Sequence, residues 1–422
     1  MKTYGKFYNR IFALLVVTVL AAAVLSPQLA MPSYVNAQQT TTEIDEMIDG
    51  VLRWKKAKSG GDVTDNLLDS IVDFAGTSPA DWYAVAVGRL GIADGQDNYR
   101  AMLGKYVSDK YLTADKLDKN KATEWHRISL ALLACGGNPL GLGVDGTIDL
   151  IADGTYNRVG ADGKGMLGRQ GINGLLWGLI ALDSRCYLVP ENAAYTRDDI
   201  VRDILSRQLE SGGWALSGSQ PDVDITAMAL TALAPYYNSE KIYEYVYGNN
   251  RTSLIKVADA VDKAVQVIGR LQTDEGDYLG FGTPNCESTA QVIVALCSLG
   301  KSVYSEEFVK NGKTLLDGLC KYLTADGGFA HAEINGKYTS DNLASAQALL
   351  ALTALRLQQI NGRRLFDMRD EMSDKLRMQI DSVEERIEAL TDTADGKEIS
   401  DTYALFCNID SAERSYVTNY RN

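Results

Sequence analysis

Three stretches of this chain are apolar around the whole helical circumference: 226–234 (TAMALTALA), 289–300 (TAQVIVALCSLG) and 344–355 (ASAQALLALTAL). A helix with no polar face has to be covered on every side. Each follows a Gly-rich turn carrying an aromatic. Before that turn lies a stretch with one apolar stripe and one charged face, such as VRDILSRQL at 201–209. The unit recurs over 201–237, 264–300 and 315–355. Three earlier segments, 65–92, 99–137 and 147–184, keep the apolar helix and lose much of the turn. Six helix pairs, apolar members inside and amphipathic members outside, predict an all-α fold in the form of an α6/α6 toroid over residues 42–360. A short open array would leave bare apolar end faces, and closure removes the ends.

The N-terminus has a separate purpose. Lys2, Lys6 and Arg10 precede fifteen apolar residues (IFALLVVTVLAAAVL), and Val35-Asn36-Ala37 then offers small residues for cleavage. That order reads as a secretory signal over residues 1–37. Fifteen residues give about 22 Å of helix, short of a roughly 30 Å hydrocarbon core. A secreted or cell-surface location is therefore expected, with no transmembrane span in the mature chain. The formal charge is −13, and loss of the three signal bases makes the remainder more acidic still. Such a body repels phosphate backbones, so nucleic acid is excluded as a partner. The six cysteines are scattered without a Cys-x-x-Cys pair. Cys135, Cys297 and Cys320 sit in apolar helical runs as free thiols, while one or two disulfides stay open.

The turns carry a more specific signal. Gln208, Gly212 and Trp214 read Q-x-x-x-G-x-W; Gln272, Gly276 and Tyr278 repeat it with Tyr; Gly327 and Phe329 repeat it without the Gln. Gly allows a tight turn, Gln can bond backbone groups, and the aromatic packs over its neighbours. This pattern resembles the QW repeat of the squalene cyclase and protein prenyltransferase superfamily, whose members are α/α toroids. It is clear from about 199 to 357 and weaker from 42 to 185. With the export signal, it is similar to secreted Gram-positive proteins with prenyltransferase-like repeats. The resemblance implies a corrinoid as one class of ligand, because cobalamin-binding α-domains share the toroid.

It also raises the question of catalysis. Asp222-Val-Asp224-Ile225-Thr226-Ala227 resembles the D-x-D-D-T-A acid motif of class II terpene cyclases, with Ile in the fourth place. Protonating an alkene needs a carboxylic acid kept neutral by its surroundings. Asp222 and Asp224 could still share a proton. The simpler reading makes Asp224 a helix cap, with Glu287 and Asn173 in equivalent places. Zinc chemistry is not expected. His126 and His331 fit no ligand spacing and read as surface or turn residues, and Cys286 lacks the family's D-x-C context. Gly163-Lys-Gly165-Met-Leu-Gly168 matches G-x-G-x-x-G without a preceding strand, which makes it a Gly-rich turn. Asp198, Asp199 and Asp203 open an outer helix, where acids suit the dipole.

Asp81, Glu124, Asp224, Glu287 and Asp341 all stand before apolar helices, so they are expected to fringe one mouth of the ring. Asn173, Trp82, Trp125 and Trp177 fall in or near the same layer. Acids and aromatics around a funnel suit a small molecule, glycan or peptide. The reading is a binding protein without catalysis and without a bound cofactor. The alternative is an enzyme: a degenerate terpene cyclase using Asp224 with Asp222, or a carbohydrate-active toroid with paired acids. Residues 361–422 form a separate tail. Leu365 to Leu390, apolar at steps of three and four, predict one long amphipathic helix. A second helix follows, and the pair could contact a cell-surface partner.

Overall fold

A computed structural model describes residues 34–62, 64–247, 251–391 and 393–421, with backbone alone for 34–41 and 247. The proposed signal therefore lies outside the described residues, apart from the backbone of its last four. The chain divides into two compact units, Met1–Ile44 and Asp45–Asn422. Helix α1 (Tyr34–Lys58) begins in the first unit and continues from Asp45 in the second, which holds all the remaining elements.

The fold is all-α, as expected, with only short two-stranded hairpins. After α1 come α2 (Leu67–Ser70), α3 (Ser78–Arg89), α4 (Gln96–Tyr111), α5 (Thr123–Ala134), α6 (Ile172–Asp183) and α7 (Arg197–Ser206). Next are α8 (Val223–Leu233), α9 (Val257–Leu271), α10 (Cys286–Ser298), α11 (Leu315–Cys320), α12 (Asn342–Gln359), α13 (Asp374–Ala389) and α14 (Gly396–Cys407). No described helix is long and apolar enough to cross a membrane.

The apolar helices do what their composition demands. Every residue from Ala344 to Leu355 in α12 is buried. They pack in a closed circuit in which α3 touches α5, α5 touches α6, α6 touches α8, α8 touches α10, α10 touches α12, and α12 returns to α3. Neighbours run parallel. Ala134 at the end of α5 lies against Gly88 at the end of α3, and Ala122 just before α5 lies near Gly174 in the first turn of α6. Tyr236, just past α8, donates to Asp183 at the end of α6 (2.7 Å). Gln291 donates to Gln347 across α10 and α12 (2.7 Å). Tyr83 of α3 donates to the Asn342 carbonyl at the start of α12 (3.2 Å).

The flanking helices are amphipathic. In α9, Val257, Val261, Ala264, Val265 and Ile268 are buried, while Asp259, Lys263 and Arg270 face water. One contact, repeated three times, ties each turn to the next flanking helix. Gly212 (φ 105°) presses on the Lys263 backbone in α9, Gly276 (φ 85°) on Thr314 and Gly318 at α11, and Gly327 (φ 90°) on Gly50 in α1. The glutamines are the clamps. Gln208 Nε2 donates to the Gly212 and Ala260 carbonyls (2.6 and 2.8 Å). Gln272 Nε2 donates to those of Gly276 and Phe308 (3.1 and 3.0 Å). The aromatic of each turn is buried, and its backbone N–H donates to a hydroxyl on the following helix: Trp214 to Thr226, Tyr278 to Thr289, Phe329 to Ser345.

Several sequence expectations change. Helix α1 packs on the last pair, where Trp54 Nε1 donates to Asp326 in the turn before α12 (3.1 Å) and Asp45 pairs with Arg356 of α12 (2.7 Å). The stretch after residue 65 forms only α2 and a 3-10 turn, Val72–Phe74. In the third pair, the hairpin β1–β2 (Leu140–Leu142, Ile148–Asp149) and one π turn, Ala152–Tyr156, stand in for a flanking helix. The hairpin β3–β4 (Ile242–Tyr247, Arg251–Lys256) lies before α9. Cys135, Cys186, Cys286, Cys297 and Cys407 form no disulfide, and Cys320 is only half-buried.

The tail packs on the rest of the unit. Its first segment, residues 363–372, is not helical, and α13 starts only at Asp374, capped by Ser373. This segment lies against the C-terminal ends of circuit helices. Arg89 donates to the Arg363 and Arg364 carbonyls (3.0 and 3.2 Å), Met368 N to the Ser184 carbonyl (2.7 Å), and Arg185 to the Met368 carbonyl (2.9 Å). Arginines collect where several helix C-termini point together, which is the polarity the peptide dipoles favour. Met372, Ile380, Val383, Phe406, Ile409 and Val417 form the tail's own core.

Candidate functional site

Because circuit neighbours run parallel, the first turns of the apolar helices lie at one end, and the sequence-predicted acids are found there. They separate into distinct environments.

Asp81 is fully buried and faces α4 and α5. It accepts from Gly76 N (2.9 Å), Tyr99 OH (2.8 Å) and Arg127 Nε (2.8 Å). Arg127 also donates to Glu124 (2.7 Å). Burial pushes the Asp81 carboxyl up, while the guanidinium and the other two donors pull against it; the same pair holds Arg127 firmly protonated. This node ties α3, α4 and α5 together and leaves neither acid free for a ligand.

The tryptophans are also spoken for. Trp82 and Trp177 come from helices that are not neighbours in the circuit, yet their rings lie 5.2 Å apart, inside it. Phe366 of the tail covers both, at 6.3 and 5.5 Å. Trp125 is buried, donates to Tyr111 OH (2.8 Å) and carries the Arg158 guanidinium 4.1 Å above its ring. Trp82 and Trp177 thus pack with each other and with Phe366.

The remaining acids converge on α8, α10 and α12. The capping expectation fails for Asp224, because the cap of α8 is Asp222, whose carboxylate accepts from Ile225 N (3.0 Å). Likewise Asn285 caps α10 (to Ser288 N, 2.8 Å), and Gly171, with no side chain, precedes α6. Asp341 does cap α12, accepting from Leu343 N and Ala344 N (2.8 and 2.9 Å). Asp222 thus has one carboxylate oxygen on the backbone, and its charge still acts on Asp224.

Asp224 is half-buried, and its Oδ1 is enclosed without a hydrogen bond of normal geometry, with the Ser288 hydroxyl beside the carboxyl. Burial pushes its pKa up to about 6, with Asp222 and Glu287 adding repulsion and Ser288 opposing. Glu287 is raised by burial too, against His331, whose Nδ1 lies 2.8 Å from Glu287 Oε2. His331 stands on β5 (Ala330–Ile334), whose hairpin with β6 (Lys337–Ser340) precedes α12. Among the described residues no Lys or Arg pairs with Asp224, Glu287 or Asp341. Asn173 also presents a buried, unbonded Oδ1.

Sequence reasoning missed Ser288 and the pairing of His331 with Glu287. His331 is 44 positions from its partner, and only the hairpin brings it there. His126, expected at the surface or in a turn, is fully buried, its Nε2 bonded to the Gly154 carbonyl (2.9 Å) and its pKa lowered by burial to about 3. Among the described residues no group of His, Cys, Asp and Glu could hold a metal ion. No protein-family model matches the chain, and no curated protein matches it.

Proposed function

We propose that the helix circuit is the inner ring of an α6/α6 toroid of the prenyltransferase and squalene cyclase type. On this reading the chain is an exported binding protein whose ligand docks on the acids at the start of α8, α10 and α12. The observation that carries this is the Asp224–Glu287–Asp341 cluster. Three acids crowd together without a Lys or Arg partner, and a carboxylate oxygen is enclosed yet unbonded. A protein retains such an arrangement at a cost to stability, and a ligand that donates hydrogen bonds or brings positive charge relieves it. Of the glycan, corrinoid and peptide classes, the acids favour a peptide with Lys or amino-terminal groups, since Trp82 and Trp177, which would stack on a sugar, are covered by Phe366.

A calorimetric titration of the secreted chain at pH 7.5 with a lysine-rich peptide, a neutral oligosaccharide and cobalamin tests this. The peptide is expected to bind saturably and to lose at least tenfold in affinity in Asp224→Asn/Glu287→Gln. Binding of the peptide unaffected by that change refutes the reading. The raised Asp224 pKa supports a second reading, a general acid in an enzyme of the superfamily. A polyprenoid co-purifying with the chain from the medium would favour that alternative.

A further inference from the structure

A cavity lies beside the first turn of α5, lined by none of the acids of the Asp224 cluster. The loop before α5 and the Gly-rich loop before α6 line this open cavity of about 780 Å³. Its inner wall is Arg158, 8% exposed and stacked on Trp125 at 4.1 Å. A buried guanidinium is normally met by a carboxylate. Here none is in contact. Arg158 Nη2 donates to the Asp118 carbonyl (3.2 Å), and Nε is enclosed with no partner.

The acids that could have answered are engaged elsewhere. Asp118 Oδ1 accepts from Asn120 N and Lys121 N (2.7 and 2.8 Å). Asp153 Oδ2 accepts from Lys116 (2.7 Å) and Tyr111 OH (2.9 Å). Asp162 sits by Lys164 at 3.6 Å, and Asp115 is an exposed lining residue. Two further cations on the lining, Lys119 and Arg169, make no side-chain hydrogen bond or ion pair among the described residues. The Gly-rich wall is formed by Gly160 and Gly165; Gly165 has no room for a side chain, since a Cβ would lie 2.1 Å from Tyr195 OH.

We propose that this cavity binds a small molecule through an oxyanion group, a carboxylate or a phosphate, seated on Arg158 and flanked by Lys119 and Arg169. The planar fork of Arg matches either anion, and its stacking on Trp125 fixes the fork before the ligand arrives. Because the chain as a whole is acidic, the attraction is local and weakens with salt. The site shares no residue with the Asp224 cluster and stands or falls independently of it.

Calorimetry on the whole secreted chain, with inorganic phosphate in one arm and citrate in the other, distinguishes the two sources of anion. At least one probe is expected to bind saturably. Arg158→Lys is expected to weaken that binding at least tenfold. Lys119→Gln/Arg169→Gln, which alters only unpaired lining side chains, is expected to weaken it about threefold or more with an unchanged melting temperature. Saturable binding of neither probe, or binding that the double variant leaves unaltered, overturns the proposal.

Discussion

Replacing Asp224 by Asn probes whether the rim acid is held at a cost. Its carboxyl is pushed from 3.8 up to about 6, and one pKa unit corresponds to about 1.4 kcal/mol. Keeping the charged form folded therefore costs up to about 3 kcal/mol, less whatever water reaches this half-buried side chain. The sign follows from linkage. With the folded pKa above the unfolded one, the native state holds the proton more tightly. The favourable contribution is complete below pH 4, is lost as pH rises from about 4 to 6, and the deficit is constant above. Asn does not titrate there. The variant is thus expected to be more stable than the natural chain at pH 7.5, by about 1–3 kcal/mol, and the gap should close near pH 4. At about 2.1 cal/mol/K per residue of unfolding entropy, a chain of this size shifts its melting temperature by roughly one to four degrees. Urea unfolding followed by circular dichroism at pH 4, 5.5 and 7.5 measures both. An Asn variant equal to or weaker than the natural chain at pH 7.5, or a gap independent of pH, would refute the argument.

Asp81→Ala should be far costlier, about 3–5 kcal/mol, because it strands a buried guanidinium together with the Gly76 and Tyr99 donors. Adding Arg127→Ala should cost less than the sum of the single changes, read from urea midpoints at constant slope. Gln272→Ala removes two bonds to the carbonyls of Gly276 and Phe308 and should cost about 2 kcal/mol, more than Gln208→Ala at its less buried turn; thermal unfolding of both variants checks the order. Phe366→Ala should cost about 3 kcal/mol and shift tryptophan emission to the red, since it uncovers Trp82 and Trp177. An unshifted spectrum would show that the tail does not cover the pair.

The helices were legible because their causes are local. A run such as 344–355 has no polar face to show water, and a Gly before an aromatic marks a turn whichever partner it meets. The acid end was legible for the same reason, since five acids stand at or within the first turn of matching helices. Asp81 and Asp224 are indistinguishable in that pattern, however. One meets Arg127 and Tyr99 from elsewhere in the fold, and the other meets only Ser288, Glu287 and Asp222. Sequence position gives a carboxylate its place on a helix, and neighbours distant in the chain decide its proton.

The tail makes the same point at a larger scale. Its apolar spacing predicted a helix through 363–372, where the chain instead runs against helix C-termini and donates Met368 N to Ser184. The sequence by itself determined which helices must be buried and where they turn, through side-chain periodicity and glycine. Only the tertiary structure decided which acids are neutralised, which aromatics are covered and which arginine is left without a carboxylate. Those outcomes depend on solvent exclusion and on charges tens to hundreds of residues away, and no local pattern encodes them.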